Sequence, residues 1–365
     1  MEDFHRVTPS GKLRARGVGI PFEGTPGMFN AVTDVEGVEI GYCTIIRGEG
    51  STAVRTGVTA LLPRGRSGVQ TPVFAACFSL NGNGELTGAH WVEESGQCEG
   101  PITLTNTHSC GLARDATVRW MLGAAPDALK DWALPVAGET YDGDLNDING
   151  FHVTDAHVFE ALETARAGPL ELGSVGGGTG MICYGFKGGS GSASRKVRTA
   201  GGEYTVGVFV QANFGRKHEL QIAGIPVGPY LPSLEVRARP GGSIIALVVT
   251  DAPLLPHQLK RLARRVPLGM ARTGSVSHNG SGDIFLACST ANAGAWGDAT
   301  LGTARFLSNE ALDPIFSAVV EGTEEAVVDA VVPNETMVGR DGMTVQAVPV
   351  DSLREILRSY NRLSP

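Results

Sequence analysis

No apolar run in this 365-residue chain approaches the roughly 20 residues that a membrane-spanning helix needs. Residues 1–20 carry charges throughout and lack the apolar stretch of a secretion signal. A chain outside the membrane is expected, with the cytoplasm as its compartment. Cysteine is sparse and scattered: Cys43, Cys77, Cys98, Cys110, Cys183 and Cys288 include no C-x-x-C pair, and several lie in apolar segments. Reduced, partly buried thiols are therefore expected rather than a disulfide framework. Positive charge is also short. The 30 Lys and Arg against 38 Asp and Glu leave a formal net charge of −8, which argues against a broad nucleic-acid footprint or a basic membrane patch. A small partner is the expected one.

Several signatures of chemistry are missing too. The eight histidines form no H-E-x-x-H pair and no Cys/His cluster at zinc spacing. No G-x-S-x-G elbow is present, which disfavours an α/β-hydrolase triad. Lys187 is followed by Gly188 and Gly189 rather than by Ser or Thr, and Met181 stands where G-x-G-x-x-G needs its third glycine, so neither phosphate-binding loop fits.

Glycine, by contrast, is abundant: 50 residues, about one in seven, where ~7% is usual. Hydrophobic residues at 42% and charged residues at 19% leave too much apolar surface for a disordered polymer. The excess marks special backbone positions in a folded chain. It is densest at 173–191, with nine glycines in 19 positions.

Short apolar, β-branched runs bounded by Gly, Pro or Asn predict strands at 58–62, 73–80, 102–106, 204–212, 243–250, 284–289 and 344–348. Helical spacing predicts 112–122, 155–166 behind a Thr154 cap, 253–266 and 324–331. A last helix is predicted at 353–363, with Ser352 and Glu355 in capping-box spacing. In 253–266, Leu255, Leu259, Leu262 and Val266 make the buried stripe and Lys260, Arg261, Arg264 and Arg265 a solvated face. Strands and helices are mixed, so the chain is α/β or α+β. Residues 226–242 read as a long exposed loop and the one place where an internal boundary could fall.

That loop ends in Arg239-Pro240-Gly241-Gly242-Ser243-Ile244-Ile245. A serine that opens a buried strand after flexible glycines suits an autoproteolytic N-terminal nucleophile. Gly242 tolerates strained dihedrals and leaves room for the Ser243 hydroxyl to attack the preceding carbonyl. Cleavage would free an α-amine of ordinary pKa about 7.7–8.0, able to accept the proton of the same residue's hydroxyl. The same residues also make an ordinary turn before a strand.

The junction does not stand alone. Gly19-Ile-Pro-Phe-Glu-Gly, Asn30-Ala-Val-Thr-Asp-Val, Asn81-Gly-Asn-Gly-Glu-Leu-Thr-Gly, Thr105-Asn-Thr-His and Gln346-Ala-Val run along the chain. Longer stretches are Glu139-Thr-Tyr-Asp-Gly-Asp-Leu-Asn-Asp-Ile-Asn-Gly150, Gly176-Gly-Gly-Thr-Gly-Met, Tyr184-Gly-Phe-Lys-Gly-Gly, Val210-Gln-Ala-Asn213 and Gly242-Ser-Ile-Ile. Together they resemble the family of the L-aminopeptidase/D-amidase DmpA and the β-peptidyl aminopeptidases, the P1 peptidases. The resemblance implies one four-layer αββα sandwich over 1–365, like N-terminal nucleophile hydrolases but with different connectivity. It also implies self-cleavage before Ser243 into 1–242 and 243–365.

The same resemblance implies roles for matching residues. Ser243 would be the nucleophile that forms an acyl-enzyme, and Asn213 would hold the developing oxyanion. Ser281 and Asp283, in Asn279-Gly-Ser-Gly-Asp283, would orient or relay protons. Glu139 would pair with the substrate's free ammonium, with Tyr141 beside it in the catalytic group. Without the resemblance, 279–283 is a turn, Asn213 a strand-end residue, Glu139 a solvated charge and Tyr141 a partly buried aromatic. The implied activity is removal of an N-terminal residue from short peptides, amides or esters, with L-α, D-α and β residues all open as the preferred one. No metal or organic cofactor is implied, and a homo-oligomer, a tetramer of processed units, is. Two other functions stand beside it: a self-cleaving acyltransferase resembling ornithine acetyltransferase, which cuts at threonine, and a non-catalytic glycine-rich binding module.

Overall fold

The structure, a computed structural model, describes residues 3–124, 132–233, 242–296 and 300–364. After a single helical turn, α1 (Ala15–Val18), the chain lays down β1 (Glu39–Arg47), β2 (Val54–Leu62), β3 (Val73–Gly82), α2 (Ala89–Ser95), β4 (Gln97–Cys98), β5 (Ile102–Asn106), α3 (Cys110–Ala124), β6 (Val136–Thr140) and α4 (Asp155–Glu163). Two short strands, β7 (Ile182–Cys183) and β8 (Phe186–Lys187), precede β9 (Gly189–Thr199) and β10 (Gly202–Asn213). A small hairpin of β11 (Gln221–Ile222) and β12 (Ile225–Pro226) then leads towards β13 (Gly242–Thr250), α5 (Pro256–Ala263), α6 (Val266–Arg272), β14 (Ser281–Ser289), α7 (Asp313–Asp329) and α8 (Val350–Ser359).

The two large sheets are β1-β2-β5-β6 and β4-β3-β14-β13-β10-β9, with β7/β8 and β11/β12 forming separate two-stranded pairs. Neighbours are antiparallel except β5/β6 and β13/β14. Each parallel pair is joined through helices, α3 for the first and α5 with α6 for the second, as parallel neighbours require. Three apolar clusters define four layers. One lies between α3, α4 and the four-stranded sheet, one between the sheets, and one between the six-stranded sheet and the helices after it. This is the αββα sandwich. The strands at its centre, β13 and β14, follow residue 242, while their neighbours β10 and β3 precede it. A cut at 242 would therefore leave two chains sharing one core. Among the described residues, no helix is long and apolar enough to cross a membrane, and all six cysteines are unpaired and buried.

The structure departs from the sequence expectations in instructive places. The glycine-dense 173–191 stretch runs into an eleven-residue strand, β9, which has few of the β-branched residues that announce strands. Its glycines serve close packing: a Cβ on Gly191 would lie 1.9 Å from the Ala326 carbonyl oxygen of α7. Gly191→Ala is expected to destabilise the fold by ~1–3 kcal/mol, the usual range for overpacking, readable as a lowered urea midpoint with an unchanged slope.

The helix expected at 253–266 begins at Pro256 and ends at Ala263, and a second helix starts at Val266. Pro267 has no N–H to continue the ladder. The 324–331 helix is the second half of a 17-residue one, α7. Ser352 lies inside α8, whose N-cap is Pro349 and not a capping-box serine. β1 and β6 were not expected, and 344–348 is strand only at 344–345. Of the 226–242 loop, residues 234–241 lie outside the described residues.

Candidate active site

The ends of β10, β13 and β14 on one sheet, and of β5 and β6 on the other, open on a single cavity of about 1160 Å³. Along β13, Ile244, Ala246 and Val248 pack towards the helices while Ile245, Leu247 and Val249 pack between the sheets. The two-residue period therefore turns Ser243 towards the four-stranded sheet. There the backbone N–H of Tyr141, one residue beyond β6, donates to Ser243 Oγ at 3.2 Å. Ser243 is buried at 3% exposure yet lines the cavity.

Asn213, the last residue of β10, is the direct antiparallel partner of Ser243. Its Oδ1 accepts the Ile182 backbone N–H at 2.8 Å, which orients the amide, because only the oxygen can accept. Among the described residues no acceptor takes its Nδ2, and Asn213 lines the cavity. An oxyanion formed on a carbonyl beside Ser243 could use that donor.

Glu139, in β6, has its carboxylate at the cavity wall on the Tyr141 side. The Glu85 backbone N–H donates to Oε1 at 3.1 Å, and Thr107 Oγ1 donates to Oε2. Burial raises its pKa above the ordinary glutamate value, with both hydrogen bonds opposing. It is a buried carboxylate able to receive a cation, not the solvated charge that the bare sequence allowed. Glu85 and Asp144 line the same cavity, while Arg216 and Lys217 line it from the loop after β10.

Ser281 and Asp283 flank Gly282, the parallel register partner of Ser243. Ser281 Oγ donates to Asp283 Oδ1 at 2.6 Å, and Asn81 Nδ2 donates to Asp283 Oδ2 at 3.0 Å. Asn81 also ties the Ser277 carbonyl at 2.9 Å. The pair is buried beside Ser243, but in this structure neither member hydrogen-bonds to it. Space is tight at Gly242: a Cβ would lie 3.0 Å from both the Asn213 carbonyl oxygen and Phe214 Cα.

Comparison with known proteins places the chain in a family. The model of peptidase family S58 matches residues 30–345. The β-peptidyl aminopeptidase BapA of Sphingosinicella microcystinivorans is 49% identical, over 96% of this chain and 93% of its own. The chain belongs to peptidase family S58. Among solved structures, the L-aminopeptidase D-Ala-esterase/amidase of Ochrobactrum anthropi superposes with a TM-score of 0.90 at 47% identity, over 96% of this chain and 99% of its own. It is described as a prototype of the serine aminopeptidases and a variant of the Ntn hydrolase fold. A Burkholderia β-aminopeptidase gives 0.87 at 45% identity, over 95% and 99% of the two chains. The S58 chain is thus a hydrolase of the serine aminopeptidase kind, with the Ntn-like architecture that the resemblance implied.

The S58 site also holds residues that the sequence reading passed over. Thr107, in Thr105-Asn-Thr-His, holds the Glu139 carboxylate through its hydroxyl. His278, one of the histidines that matched no motif, lines the cavity, with Nε2 2.7 Å from Glu219 Oε1. Lys187 was weighed only against phosphate motifs; it is wholly buried behind the site. None of these carries a signal in sequence spacing, since their partners are 32, 59 and 6 residues away.

Proposed function

We propose that the chain cuts itself between Gly242 and Ser243 and then, through Ser243, removes N-terminal residues from short peptides, amides or esters. The observation that carries this reading is the meeting of Ser243, Asn213 and Glu139 on one cavity. A carboxylate that fixes a free amine places the first carbonyl of the substrate at the serine, which sets an exopeptidase register. Ser243 Oγ adds to that carbonyl, the Asn213 amide holds the oxyanion, and collapse expels the amine or alcohol to leave an acyl-enzyme that water opens. The α-amine freed by processing accepts the hydroxyl proton and returns it to the leaving group. Ser281 and Asp283 orient this proton traffic from the adjoining strand, and the Tyr141 N–H holds Oγ in place. An acyltransferase built like ornithine acetyltransferase is disfavoured by serine at 243 and by the ammonium-binding carboxylate. The proposal extends to a cytoplasmic homo-oligomer of processed units.

Asn213→Ala tests the oxyanion role. Loss of one such donor costs about 10²–10³ in kcat, so kcat for alanine para-nitroanilide should fall by that factor in the processed variant while KM stays within about twofold. An unchanged kcat would remove Asn213 from the mechanism.

A further inference from the structure

Lys187 lies at the end of β8 with no exposed surface. Its Nζ donates to the carbonyl oxygens of Met181, at 2.8 Å, and Gly188, at 2.6 Å. Burial lowers its pKa to about 7. A buried lysine is costly to keep, and neither the cavity nor the reaction as described uses it. Two carbonyl acceptors favour its ammonium form, since the charged donor makes the stronger bonds.

The Met181 carbonyl is one end of a peptide group whose other end is the Ile182 N–H. That N–H is the donor to Asn213 Oδ1 at 2.8 Å. A continuous line therefore runs from ammonium to carbonyl, through the peptide group to its N–H, then to the amide oxygen of Asn213 and its Nδ2. In a buried chain each hydrogen bond polarises the next, by about 10–30% per bond. A cation drawing on the Met181 oxygen makes the Ile182 N–H more positive. That N–H in turn draws on Asn213 Oδ1 and makes Nδ2 a stronger donor, where negative charge develops next to Ser243. The Gly188 N–H also donates to the Met181 oxygen at 2.9 Å, so the lysine supplements a neutral donor already present.

We infer that Lys187 is a positioning residue that holds and polarises the oxyanion-binding amide of Asn213 through the Met181–Ile182 peptide group. This rests on the proposed oxyanion role of Asn213. The other titratable groups that act on Lys187 are Cys183, Asp142 and Lys12. The Cys183 thiol is pushed up to about 12 by burial and stays neutral. Asp142, buried one residue beyond Tyr141, is pushed up to about 7, so its deprotonation favours the ammonium, whereas Lys12 opposes it.

The test is a double-mutant cycle on the processed enzyme, with alanine para-nitroanilide as substrate. Lys187→Met keeps the stem and removes charge and donors; Lys187→Gln keeps a neutral donor and serves for the cycle if the methionine variant does not fold. The expected result is about a tenfold fall in kcat for Lys187→Met, a smaller fall for Lys187→Gln, and KM within about twofold for both. In an Asn213→Ala background either substitution should change kcat by less than about twofold, because the line no longer has an end. The wild-type kcat should also lose an alkaline limb on Lys187→Met that Asp142→Asn retains, shifted to lower pH. Unchanged kcat in both lysine variants, or a loss fully additive with Asn213→Ala, overturns the inference. If Asn213→Ala alone has no effect, the oxyanion reading itself fails, and this inference with it.

Discussion

Ser243→Ala is expected to leave the chain whole and to lower kcat for alanine para-nitroanilide by about 10⁴-fold or more, the scale seen when a catalytic nucleophile is removed. Both losses follow from one atom. In processing, Ser243 Oγ adds to the Gly242 carbonyl and the C–N bond to Ser243 breaks. The acyl group moves to oxygen, the proton passes to nitrogen, and water then hydrolyses the ester. In turnover the same Oγ adds to the substrate carbonyl. Ser243 is the second residue of β13 and faces between the sheets, so alanine there fits without repacking and the variant should fold as well as the parent. A Ser243→Ala protein that is still cut, or that still turns over substrate, removes Ser243 from both steps.

Glu139→Gln is expected to lower kcat/KM for alanine para-nitroanilide by ~10–100-fold. A charge-assisted hydrogen bond contributes ~1.5–3 kcal/mol, and ~1.4 kcal/mol is a factor of ten. The slow hydrolysis of the N-acetylated substrate, which has no ammonium to place, should be unchanged. The pH profile gives the sign independently. Burial raises the Glu139 pKa, and only the ionised carboxylate pairs with an ammonium. The wild-type kcat/KM should therefore fall, as pH is lowered, through a pKa above the ordinary glutamate value of ~4.3; in Glu139→Gln that limb should be gone. If the variant discriminates between free and acetylated amines as the parent does, Glu139 does not bind the amine.

Some of this was legible in the residues because local chemistry announces it. β5 was placed to the residue because its β-branched run is buried on both faces. Ser243 stood out because glycines and an apolar strand meet at one peptide bond. β9 was not legible: Gly, Ser and Ala are there because α7 and the 173–178 segment press on the strand, and a sequence does not show what packs against it. Lys187 was illegible for the same reason, since its meaning lies in the Met181–Ile182 peptide group and in an asparagine on another strand. The break between α5 and α6 was legible in Pro267 and was overridden by the leucine spacing. Family resemblance named Asn213, Ser281, Asp283 and Glu139 together; in the fold Asn213 and Glu139 line one cavity, while Ser281 and Asp283 lie on the strand that pairs with Ser243 and are not among the residues lining it.

The most direct test of the account is intact-mass measurement of the purified wild-type protein under denaturing conditions, with N-terminal sequencing of its smaller part. The account predicts two chains of 242 and 123 residues, the shorter beginning at Ser243. A single 365-residue chain that persists on incubation, or a cut at any other bond, would contradict it.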